Sequence, residues 1–156
     1  MSAQTIYNNA LLGSLIRYTD GQPRPPERFR KKLASWKQNN GSGRLIQKMP
    51  AMERPTYAMP ATFKLHEGDF GANGTIVLVV HRSYSVQSSL EFEIVEPPAP
   101  GAVLVLTSFQ EVDELRHVAR DMESAELWLA SHHYSGARFE TVAGPATATI
   151  ATDQTA

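Results

Sequence analysis

The sequence predicts an α+β fold: a mainly antiparallel sheet with one long C-terminal helix packed on it, plus a small basic N-terminal strand–helix–strand lobe. Three observations carry this reading. Short apolar runs bounded by Gly, Pro and Asn recur through the middle of the chain, as strands require. Two other segments repeat their apolar residues at helical spacing. Strands and helices do not alternate regularly, which argues against a parallel sheet with crossover helices.

Each element has a local reason. Residues 14–19 read as a strand that ends at the turn signal Asp20-Gly21. Pro23, Pro25 and Pro26 then hold the chain extended. A helix is expected over 26–39, because Phe29, Leu33 and Trp36 recur at i, i+4 and i+7. Pro26 suits its first position, and Glu27 suits the positive end of its dipole. Asn39-Asn40-Gly41-Ser42-Gly43 is expected to stop it with residues that tolerate positive φ. Residues 44–48 follow as a short strand.

Pro50, Pro55 and Pro60 mark 49–60 as an extended connector. Strands are then expected at 61–66, 75–83 and 90–96. The link between the first two ends in Asn73-Gly74, a strong hairpin signal. Its glycines Gly68, Gly71 and Gly74 lie between strands, unlike a phosphate cradle, which opens a helix. The run 76–80 is apolar without alternation, as in a strand buried on both faces. In 90–96, Leu90, Phe92 and Ile94 alternate with Glu91, Glu93 and Val95, leaving one face wet.

Residues 102–106 form another apolar strand. Ser108 and Glu111 have capping-box spacing, so a long helix is expected from there to about 131. Leu115, Val118, Met122, Ala125 and Leu129 would be its buried stripe. His132 and His133 suit the negative end of its dipole. A last strand is expected at 138–142, then a frayed tail of small and polar residues. The organisation is a basic lobe at 1–49, a Pro-containing connector at 50–60, an acidic α+β core at 61–143 and a tail at 144–156.

The chain has 156 residues, enough to bury a core without a staple. It contains no cysteine, which excludes disulfides, thiol catalysis and Cys-ligated metal sites. No apolar run approaches membrane-spanning length, and no signal peptide is visible. A soluble, cytoplasmic protein without a cofactor is expected. G-x-S-x-G, Walker and H-E-x-x-H patterns are all missing, so catalytic residues cannot be named. His66, Glu67, Asp69 and His81 are metal-ligating types, but no motif fixes their spacing, and no metal site is expected.

Charge is the most informative feature. Residues 1–54 hold ten Lys and Arg against three acids, a net +7, and 55–156 hold five against thirteen, a net −8. Between Arg24 and Lys37 lie six basic residues and one acid. On a helical wheel Arg28, Lys31, Lys32 and Ser35 share the face opposite Phe29, Leu33 and Trp36, with Arg30 and Lys37 on one flank. Point charges and Arg forks at this density are what contact with phosphates needs. The plainer reading is a solvated helix face.

The expectation is therefore a small non-enzymatic protein that contacts the nucleic acid backbone, DNA or RNA, through Arg24, Arg28, Arg30, Lys31, Lys32, Lys37 and Arg44. The alternatives are a protein–protein module docking on an acidic protein surface, such as an inhibitor or accessory factor, and a small enzyme without a recognisable motif. A homo-oligomer is compatible with either. Pro23, Pro26 and Arg28 also fit a polyproline ligand, although Pro26 has a local role at the helix start.

Overall fold

A computed structural model describes residues 1–72 and 75–143, with the side chains of all except 68–72 and 75–79. The chain divides into two compact units, Met1–Pro97 and Pro98–Ala156. In both, helices accompany antiparallel strands, and the fold is α+β.

The first unit opens with a helix that the sequence reading missed, α1 (Ala3–Asn9). The Ser2 hydroxyl caps it by accepting from the Thr5 N–H at 3.2 Å. Ala3, Ile6 and Ala10 point into the core from one side. Then come β1 (Leu15–Thr19), α2 (Arg30–Asn39) and β2 (Gly41–Met49), the expected strand–helix–strand order. β3 (Met52–Arg54) and β4 (Tyr57–Met59) form a two-stranded hairpin within the segment expected to be a plain connector. β5 (Thr62–Ala72), β6 (Thr75–Ser85) and β7 (Glu91–Glu96) complete the unit.

Its sheet order is β7-β1-β2-β5-β6, every pairing antiparallel. Strand β5 runs well past the end expected for it, and its pairing with β6 continues to Ala72 and Thr75. Asn73 and Gly74 lie outside the described residues, as do the side chains of 76–79, where burial on both faces was expected. On β7, Phe92 is buried while Glu91, Glu93 and Val95 are exposed, the alternation read from the sequence. Ile6, Ile16, Leu45, Phe63, Leu65 and Phe92 fill the core with Tyr18 and Tyr84. Leu45 and Leu65 are fully buried, worth roughly 1.5–3 kcal/mol each in transfer free energy.

Two local expectations need correction. The helix starts at Arg30, not Pro26. Residues 26–29 form a separate turn closed by the Phe29 N–H on the Pro26 carbonyl at 3.0 Å, and Phe29 leaves the helical region at φ −93°, ψ 75°. The stripe Phe29, Leu33 and Trp36 is not sealed: α2 buries no residue fully, and Phe29 is 42% exposed. Second, Gly41, Ser42 and Gly43 do not end the helix in a left-handed conformation. They begin β2, and the glycines serve close approach. A Cβ on Gly43 would lie 2.9 Å from Leu65 Cβ, and one on Gly41 2.8 Å from the Tyr18 hydroxyl.

The second unit contains β8 (Val103–Phe109), β9 (Val112–Ala119), α3 (Met122–His132) and β10 (Arg138–Thr141), with sheet order β10-β8-β9. The expected helix from Ser108 to 131 is overturned in its first half, which is strand β9. Gln110 (φ 51°) and Glu111 (φ 67°) make a tight turn with both central residues left-handed, the twist that suits a hairpin. Ser108 faces Asp113 across that hairpin and donates its hydroxyl to the carboxylate, so it is no helix cap. The real cap is Asp121, which accepts from the Ser124 N–H at 2.8 Å.

Helix α3 packs on all three strands of its unit. Leu115 and Ala125 are buried as expected, but from a strand and a helix respectively, and Met122 is 41% exposed. The Trp128 ring lies parallel to His117 (4.7 Å between centroids), His132 (4.0 Å) and Tyr134 (5.6 Å), fastening α3 to β9. His132 Nδ1 sits 2.8 Å from the Trp128 carbonyl oxygen, so with its proton on Nδ1 it satisfies a C-terminal carbonyl of the helix. The tail from residue 144 lies outside the described residues.

Candidate nucleic-acid interface

Helix α2 is short and polar, and its position depends on hydrogen bonds more than on burial. The Trp36 indole N–H donates to the Gln22 carbonyl at 2.8 Å. The Asn40 side-chain amide donates to the Trp36 carbonyl (2.8 Å) and to the Asp20 carboxylate (3.0 Å). Asp20 also accepts from the Gln22 N–H at 2.9 Å. These bonds hold its carboxyl below the usual range, the backbone donor contributing most. From β6, Arg82 Nη1 reaches the Gln38 carbonyl at 2.7 Å. The ties to the helix and its cap gather at Trp36, Gln38 and Asn40, near the C-terminal half of α2, and the N-terminal end is exposed.

The cations lie mostly at that end, with Lys37 in the last turn. Arg28, Arg30, Lys31, Lys32 and Lys37 are all exposed, and none has a carboxylate partner among the described residues. Arg28 and Lys32 stand over the Phe29 ring, their charged centres 4.9 and 5.3 Å from its centroid. Arg24 joins the group by lying 5.9 Å from the Trp36 ring centroid, and it pairs with Glu27 at 3.7 Å. Arg44 stands apart on β2, where Nη1 donates to the Gly13 carbonyl at 2.5 Å. Four of the seven basic residues singled out in the sequence lie on the helix, Arg30, Lys31, Lys32 and Lys37, while Arg24 and Arg28 precede it. Arg28, expected on the helix face opposite Phe29, lies instead before the helix and over that ring.

Beside α2, on the outer face of β2, β1 and β7, lies an open cleft of about 690 Å³. Trp36 and Asn40 form one wall, and Glu91 and Glu93 the other, with Arg17 between them paired to Glu93. The acidic wall makes the cleft a poor seat for a phosphate.

The inner face of the same strands holds a polar cluster that the sequence did not suggest. The Tyr18 hydroxyl donates to the Glu67 carboxylate, and Arg82 Nη1 lies 3.3 Å from that hydroxyl. Burial, and then the carboxylate, push the Tyr18 phenol far above its usual range, and burial also raises Tyr84. Both phenols stay protonated. Tyr18 is 2% exposed, its partners Glu67 and Arg82 are half-buried, and Tyr18 also lines the cleft. Its tie to α2 is Arg82, which lies over both tyrosine rings and donates to the Gln38 carbonyl. No pattern along the chain announces this contact, which spans 44 residues.

His66 and His81 face each other across β5 and β6 with ring centroids 5.4 Å apart. Among the described residues, no group of three or more His, Asp or Glu is placed to hold a metal ion. No helix among them is long and apolar enough to cross a membrane.

The family described as Uncharacterised conserved protein UCP036055 matches residues 1–146. The chain belongs to that family. The UCP036055 match extends over every element from α1 to β10, so it includes α2 with its cations as well as both sheets. For this UCP036055 member, comparison with curated proteins and with solved structures found no match.

Proposed function

We propose that this UCP036055 protein is a non-enzymatic binding protein that grips the phosphate backbone of nucleic acid through α2. One observation carries the reading: Arg28, Arg30, Lys31, Lys32 and Lys37 stand exposed on one short segment with no carboxylate partner among the described residues. Surface cations that serve only solubility are usually interspersed with acids. Here they repel one another, and a polyanion relieves that repulsion while releasing its own counterions. Arg contributes flat two-pronged hydrogen bonding and Lys a point charge, and both suit phosphate oxygens. Nothing in the arrangement resembles a major-groove reading motif, so binding is expected to be largely indifferent to sequence.

The test is binding to labelled DNA and RNA over a series of salt concentrations. With about three to five phosphate contacts, log K should fall against log salt with a slope of roughly −3 to −4.5 on duplex. The triple variant R28Q/K31Q/K32Q should flatten the slope and weaken binding alike on all sequences, with stability within about 0.5 kcal/mol of the parent. Absence of salt-sensitive binding at low salt overturns the proposal and favours an acidic protein surface as the partner of α2.

A further inference from the structure

We infer that the nucleic acid taken by α2 is a single strand, with one of its bases stacked on Phe29. This rests on the phosphate-binding reading above and specifies the ligand. Leaving a large apolar ring in water is costly. Phe29 is 42% exposed, contributes no side-chain cap to α2, and stands at the outward end of the helix. The position offers an exposed aromatic ring with two cations over it, Arg28 at 4.9 Å and Lys32 at 5.3 Å from the ring centroid, and a base can take their place on the ring as they move to its phosphates.

That combination discriminates between nucleic acid forms. Duplex phosphates need only charges, because the bases are already stacked on one another. A ring reaches them only by unstacking a step, at a cost of a few kcal/mol in wedge-inserting proteins. A single strand has its base faces free, and an aromatic side chain within a positive track is the means by which such strands are held. The Arg28 guanidinium is itself planar, so a base can stack on the ring or on the guanidinium layered over it, while Lys31, Lys32 and Arg30 take the flanking phosphates. Trp36 is half-buried and lines the cleft, so Phe29 is the more exposed ring of the segment. Stacking tolerates every base, consistent with binding that ignores sequence.

The experiment compares oligo(dT), oligo(rU) and a mixed-sequence duplex, each about 15 units long to cover one binding site, by fluorescence anisotropy at matched low salt. Both single strands should bind more tightly than the duplex. Phe29→Ala should weaken single-strand binding by about 5- to 150-fold, the range measured for removing a stacking side chain, and leave duplex binding and the salt slope unchanged. Phe29→Tyr should retain single-strand affinity. Phe29→Leu, which keeps apolar bulk without a flat π face, should lose it as Phe29→Ala does. Duplex binding equal to or tighter than single-strand binding overturns the inference, as does a Phe29→Leu variant that binds like the parent. In both cases salt-sensitive binding lost in R28Q/K31Q/K32Q leaves the phosphate-binding reading standing. Absence of binding to all three probes removes both.

Discussion

Arg82 Nη1 on β6 donates to the main-chain carbonyl of Gln38 in the last turn of α2 at 2.7 Å, while the same nitrogen lies 3.3 Å from the Tyr18 hydroxyl. One guanidinium therefore links the buried aromatic core of the first unit to the helix that carries the exposed cations. A cation at a helix C-terminus satisfies an orphan carbonyl and complements the dipole. Because α2 buries no residue fully, this tie matters more than it would for a packed helix.

Arg82→Ala should therefore loosen α2 without unfolding the sheet. Amide hydrogen exchange over residues 30–39 should accelerate about 10-fold or more, as expected for losing a charged hydrogen bond worth roughly 1.5–3 kcal/mol. Exchange on β1 and β2 should change far less. Equal acceleration in all three elements would mean that Arg82 supports the core rather than the helix.

Gly43 is predicted to resist any side chain. A Cβ there meets Leu65 Cβ at 2.9 Å and the His66 carbonyl oxygen at 3.1 Å, and the second is backbone that cannot swing away. Gly43→Ala should destabilise by about 1–3 kcal/mol in urea unfolding, the usual cost of overpacking. Gly43→Asn should do no better, although Asn would suit a left-handed helix stop. A neutral Gly43→Asn would restore the helix-stop reading.

The β8–β9 turn places two non-glycine residues, Gln110 and Glu111, at positive φ. Asn-Gly is the sequence such a turn prefers. The double change Q110N/E111G should stabilise by about 1–2 kcal/mol by relieving left-handed strain. In a helix the added Gly alone would cost about 1 kcal/mol. The sign of the shift in melting temperature thus separates a hairpin from a continuous helix over 108–119.

His117 predicts a pH dependence. Partial burial, and then the nearby His132, hold its imidazole below the ordinary value of 6.5. The unfolded chain therefore binds a proton more readily than the folded one, and stability rises with pH across the interval between the two values. The contribution is fully present above pH 6.5 and is lost as pH falls toward the folded value. The urea midpoint should drop between pH 7.5 and pH 5.5. His117→Phe, which keeps a flat ring against Trp128, should reduce that drop. An identical pH profile in the variant would assign the effect to other groups.

Local signals determined much of this protein. Alternation of Phe92 and Ile94 with Glu91 and Glu93 placed β7 and its wet face, because side chains in a strand point alternately to opposite sides. The apolar run at 102–106 located β8. The cations of α2 were legible because a run of charges is a property of neighbours along the chain. Tertiary structure decided the rest. Leu115, Val118, Met122 and Ala125 fit a helical stripe on paper. A tight turn at Gln110-Glu111 without glycine, and pairing with β8 through seven residues of β9, made the first half a strand. Pairing partners distant in sequence leave no mark on local periodicity, and neither does the contact from Arg82 to Gln38. The glycines of β2 followed the same rule: their composition signals a turn, but their role is set by Tyr18 and Leu65, which only the folded sheet brings within reach.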